Sequence, residues 1–180
     1  MRRIAARLSI AAFALAAAFP SLALDGPTSV FAQAGAWTHV RSATLGLTWD
    51  WGWRREYSLG TLTGYTEVAL GRWRTNGRAV DKGFTQFGVT PVFRFYPGGI
   101  AAGWFAELAV GANVITPKYR NDTRVFSSTF NFGDHVGVGR RFGANASHEL
   151  ALRFQHFSNA GISHPNPGEN FVQLRYAYRF

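Results

Sequence analysis

The chain has 180 residues, a net charge of +9, 47% hydrophobic and 16% aromatic residues, and no cysteine. The missing cysteine excludes a disulfide framework and a thiolate metal site. After the N-terminal region, no apolar run reaches the roughly 20 residues that a spanning helix needs.

The opening stretch MRRIAARLSIAAFALAAAFPSLALDG carries Arg2, Arg3 and Arg7, then an Ala-, Leu-, Ile- and Phe-rich run, then Pro20 and Ser21-Leu22-Ala23. This is the layout of a secretory signal peptide over residues 1–23. A second small-residue site ends at Ala34, but residues 28–36 read as a strand, which favours cleavage after Ala23. The mature chain, 24–180, suits one domain. Losing three arginines and no acid lowers its net charge to +6. An exported basic chain points to phosphorylated lipid headgroups rather than nucleic acid.

Eight segments alternate in polarity: 28–37, 42–53, 57–72, 83–96, 102–115, 126–142, 147–158 and 170–180. In the second, Leu45, Leu47 and Trp49 oppose Thr44, Gly46 and Thr48. In the fourth, Phe87, Val89, Phe93 and Phe95 oppose Gln86, Gly88, Thr90 and Arg94. The fifth sets Ala106, Leu108 and Val110 against Glu107, Ala109 and Gly111. In the sixth, Asp134 falls on the apolar side, a placement that alternation does not explain. The last sets Val172, Leu174, Tyr176, Tyr178 and the terminal Phe180 against Gln173, Arg175 and Arg179. Aromatic-rich apolar faces, charged opposite faces and turn-like connections predict an all-β, eight-stranded antiparallel transmembrane β-barrel. Its interior is just wide enough to be filled by side chains, so it is not a pore.

The seventh segment, ELALRFQHFS, puts His156 and Ser158 in phase with Leu150, Leu152 and Phe154. Both therefore face lipid. Both termini of an even-stranded barrel lie on the periplasmic side, so this segment runs outward and the pair lies near the external leaflet. An unpaired polar group there costs about 2–7 kcal/mol by transfer scales. A histidine that takes a serine proton gives the pair a use against lipid acyl esters.

The stretch HFSNAGISHPNPGEN resembles the C-terminal motif of the lipid A 3-O-deacylase (PagL) family, with support from LGLTWDW, GTLTGY, FAELAVGANV and TFNFGDHVGVG. The resemblance covers essentially the whole mature chain. It implies a bacterial outer-membrane barrel that hydrolyses the 3-position acyl ester of lipid A, with Ser158 as nucleophile and His156 as base. It also implies pairing of two barrels. The family's acid sits twelve residues after the serine, where this chain has Asn170, with Glu169 just before it. Either Glu169 swings outward and orients His156, or Asn170 holds it by a neutral hydrogen bond. Glu169 is favoured because a carboxylate better stabilises the imidazolium. Asn159, Gly161 and Asn166 are candidate donors to the oxyanion.

A Ser–His mechanism needs no cofactor, and His39, His135, His148 and His164 show no metal-ligand spacing. Two other readings stand beside this one: a phospholipase A-type lipid esterase with a Ser-His-Asn site, and a non-enzymatic structural or adhesive barrel.

Overall fold

The computed structural model describes residues 26–75 and 83–180. The expected signal peptide lies outside the described residues. The strands are β1 (Ser29–Trp37), β2 (Val40–Tyr57), β3 (Gly60–Thr75), β4 (Gly83–Pro97), β5 (Trp104–Thr116), β6 (Phe130–Phe142), β7 (His148–Ser158) and β8 (Glu169–Arg179). Each pairs antiparallel with its chain neighbour, and β8 closes on β1, with Ser29 opposite Arg179 and Ala36 opposite Val172. Closure leaves no unpaired sheet edge, as a backbone in hydrocarbon requires.

Three connections at one end are short, at residues 58–59, 98–103 and 143–147. The other end carries the longer segments 117–129 and 159–168 and is the external one.

The expected eight strands all form, with the largest boundary shifts in β2, β3 and β6; β3 covers Gly60–Thr75 in place of 57–72. β2 runs on to Tyr57 because a register shift between Asp50 and Arg54 interrupts its alternation without ending the pairing. β6 starts at Phe130 rather than at residue 126. Phe126 instead turns its ring into the barrel mouth from the loop before it.

Alternation sorts the side chains into two environments. Leu45, Leu70, Leu108, Val136, Leu152 and Leu174 are each more than half exposed on the outer wall. So large an apolar surface marks a lipid-facing belt.

Inside, β3, β4, β5, β7 and β8 contribute a closed ionic lattice. Arg94 spans Glu107 at 2.7 Å and Glu149 at 2.6 Å. Arg153 reaches Glu107 at 2.7 Å and Glu67 at 3.1 Å, and Arg175 reaches Glu149 at 2.5 Å. The Tyr65 hydroxyl donates to Glu107 and accepts from Arg94 and Arg153. Above the lattice, towards the external end, Trp73, Phe84, Tyr119, Phe126, Phe157 and Phe171 form an aromatic plug with Val40 and Ile115. Trp73 lies 4.7 Å from both Phe157 and Phe171, ring centre to ring centre.

Replacing Glu107 by alanine leaves Arg94 and Arg153 buried with one carboxylate fewer. The barrel should lose about 3–5 kcal/mol of stability, read from its urea midpoint in detergent micelles. An isosteric Glu107→Gln should lose less.

Candidate active site on the lipid-facing wall

The site is built where β7 ends and β8 begins. Phe157 turns inward and packs in the plug, which sends its neighbours His156 and Ser158 outward. Phe171 does the same for Asn170 on β8. His156 and Asn170 are directly opposite each other in the β7–β8 ladder. The plug thus fixes from behind the three side chains that the outer wall presents.

The Nδ1–H of His156 donates to Asn170 Oδ1 at 2.6 Å. That bond selects the tautomer with an unprotonated Nε2. Ser158 lies two residues along the same face, about 7 Å away between Cβ atoms by strand geometry. Among the described residues, no hydrogen bond joins Ser158 Oγ to the ring.

Glu169 does not take the expected place on His156. β8 is regular from Glu169 onward, so adjacent residues take opposite faces, and Glu169 points inward beside Phe157. It is 2% exposed. Its carboxylate accepts from the Tyr119 hydroxyl at 2.7 Å and from Asn121 Nδ2 at 3.4 Å, with Arg124 Nη1 3.7 Å away. Burial, followed by the Glu169 bond, pushes the Tyr119 phenol above its ordinary range. Glu169 therefore ties the 117–129 loop to the barrel rim, and the neutral Asn170 holds the imidazole.

The loop after Ser158 sorts the candidate oxyanion donors. Asn159 is buried; its Nδ2 donates to Ser127 Oγ at 2.9 Å, Ser128 Oγ at 3.2 Å and the Ser163 carbonyl at 2.8 Å. Its Oδ1 accepts the Gly161 N–H at 3.0 Å. Both are committed to the loop. Asn166 Oδ1 accepts the Asn159 N–H at 3.0 Å, which leaves the Asn166 Nδ2 donors for a ligand.

Two further residues shape the site. Gly168, at φ +64°, lies so close to the imidazole that a Cβ there would meet His156 Cε1 at 2.5 Å. Its carbonyl accepts from Arg124 Nη1 at 2.6 Å. The Pro-Asn-Pro-Gly turn signals the φ but not the packing partner. Asp134 is the second. It faces outward from β6 directly opposite His156, on the flank away from Asn170. Its odd parity was the available signal.

Below the site, Leu108, Val136, Val138, Leu152, Phe154 and Val172 line an apolar groove of about 540 Å³ on the outer wall. Phe154 and Val172 are its upper residues, each one outward position from His156 and Asn170. Trp37 packs edge-on to Phe154 at 5.9 Å. Among the described residues, no group of three or more His, Asp or Glu side chains is arranged to hold a metal ion.

A family model described as lipid A 3-O-deacylase (PagL) matches residues 41–179. The chain belongs to the PagL family. It is 34% identical over 148 residues to the lipid A deacylase PagL of Bordetella bronchiseptica, covering 81% of this chain and 80% of that one. It is 33% identical over 134 residues to the PagL of Pseudomonas aeruginosa, covering 73% and 74%. A crystal structure of the outer-membrane enzyme PagL superposes with a TM-score of 0.72 at 29% identity, over 84% of this chain and 99% of that one. The outer-membrane protein Ail of Yersinia pestis superposes with a TM-score of 0.55 at 12% identity, over 87% of this chain and all of Ail, a likeness of fold alone. As in other PagL-family barrels, the location is the bacterial outer membrane.

Gly168→Ala should push the imidazole off Asn170. The downfield Nδ1–H proton resonance of His156 should broaden or vanish, while urea stability changes by only about 1 kcal/mol.

Proposed function

We propose that this protein is a serine-dependent lipid A 3-O-deacylase of the outer leaflet. The observation that carries the reading is the placement of Ser158 and a tautomer-fixed His156 on the lipid-facing wall at the external end, in a chain of this family. A lumenal pair would meet the ionic lattice or the aromatic plug and no acyl chain. This pair meets ester linkages at the depth where headgroups join hydrocarbon.

The acyl chain lies in the groove beneath His156, and its ester carbonyl reaches Ser158. His156 Nε2 takes the Oγ proton as Oγ bonds to the carbonyl carbon. The Asn166 amide, engaged in the loop through its Oδ1, offers Nδ2 as the donor to the oxyanion that forms. Collapse breaks the bond to the sugar 3-oxygen, which leaves with the proton from the imidazolium. Water, deprotonated by His156, then releases the fatty acid from Ser158.

Asn170 holds the ring but adds no charge. Asp134, across the β6–β7 ladder, is the outward carboxylate beside the imidazole, and it stabilises the cation that forms during proton transfer. Glu169 acts on the loop.

The decisive experiment is mass spectrometry of lipid A from a Gram-negative host expressing wild type or Ser158→Ala. Loss of one 3-linked acyl chain is expected with wild type only, the variant falling by about a thousandfold or more. Unchanged lipid A in both, with the barrel folded, overturns the reading. Acyl release from glycerophospholipid instead would support the Ser-His-Asn phospholipase alternative. Asn170→Ala should lower kcat by about 10–100-fold with KM little changed. Asp134→Asn should lower kcat by about tenfold at neutral pH.

A further inference from the structure

A second concave stretch of outer wall lies apart from the His156 groove. Its floor is made of Ala32 and Ala34 on β1 and Ala43 on β2, and its sides of Leu45, Leu70 and Leu174; it encloses about 770 Å³. Leu174 pairs with Leu152, which lines the other groove, so these two leucines form the ridge between them.

The mouth of this groove is basic. Arg72 lines it. Arg41, on β2, faces outward directly opposite Arg74 on β3, while Arg72 stands opposite Ala43. All three are exposed at the external ends of their strands, as His156 and Ser158 are near the end of theirs. Like charges set directly across a ladder repel. Among the described residues, neither Arg41 nor Arg74 has an acidic partner. Arg72 donates to Thr85 Oγ1 at 3.0 Å and, among the described residues, makes no ion pair. Three guanidinium groups over an alanine-floored trough are complementary to one ligand class: a lipid with a phosphate monoester at its head and chains that lie along the wall.

We infer that this face is a second, non-catalytic docking site for a phosphorylated, multiply acylated outer-leaflet lipid of the lipid A class. Its phosphate sits between Arg41, Arg72 and Arg74, and an acyl chain fills the groove over Ala34 and Ala43. The Arg41–Arg74 repulsion is relieved when the phosphate bridges them. The site goes beyond the hydrolytic reading and does not depend on it.

The test counts lipids. Native mass spectrometry of the full barrel carrying Ser158→Ala, in detergent with added bisphosphorylated lipid A, reads how many molecules stay bound. The protein should hold one more lipid than the same protein with Arg41→Gln, Arg72→Gln and Arg74→Gln, whose affinity at this site falls by about tenfold or more. Ala43→Leu, which fills the trough without touching charge, should remove the same molecule. Lipid A stripped of both phosphates should not supply it. Equal counts in all variants would overturn the proposal. So would equal retention of glycerophospholipid, or a second barrel covering this face in place of lipid. In the Ser158 background, the triple-Gln protein should deacylate within about threefold of the parent. A collapse in turnover would show that the arginines serve the substrate site and would overturn a second site. If no deacylation is found even in the parent, the lipid count still decides this proposal.

Discussion

The constraint on which the rest depends is the filling of a narrow lumen with charge. Three arginines, three glutamates and Tyr65 meet inside the barrel, and the arginines and Glu107 are almost completely buried. Each ion gives up several kcal/mol of hydration, recovered only if every partner arrives in register. The partners come from β3, β4, β5, β7 and β8. A slip of one residue on any of these strands would turn a lattice charge out into hydrocarbon and an apolar side chain into the lattice. The lattice thus contributes as much to selecting the pairing as to holding it. The Phe157–Phe171 plug above it inherits that register.

From that register comes the separation of tasks between faces. Within Phe157–Ser158 and Glu169–Asn170, neighbouring residues serve opposite surfaces. The inward members pack the plug or anchor the external loop, and the outward members build the site. Arg124 links the two, since it lies beside Glu169 and also holds the Gly168 carbonyl whose Cα supports the imidazole.

Most of this architecture was legible because period-two alternation is the direct imprint of a wall with lipid on one side. The parity of β4, β5, β7 and β8, the outward aim of His156 and Ser158, and the inward aim of Arg94 and Glu107 could all be read from it. What could not be read lay where pairing depends on distant chain. The shift between Asp50 and Arg54 hid the true end of β2. Glu169 was expected to swing outward because His156 seemed in need of a carboxylate. Tyr119 and Asn121, some fifty residues earlier, satisfy it on the inside, and no local pattern announces them. Asp134 was visible as an oddity, but its meaning required the β6–β7 register that sets it against His156. Asn159 looked like a free amide until Ser127 and Ser128 arrived from another loop.

The proposed placement of the site on the outside of a wall changes what sets its encounter rate. Such a site has no mouth to be entered from solution, and ligands arrive by sliding within one leaflet. Supply then depends on the mole fraction of the target lipid and on lateral diffusion in that plane, not on any bulk concentration. Tight packing of neighbouring lipids, which divalent cations promote by bridging their phosphates, would slow arrival without touching a single residue of the protein.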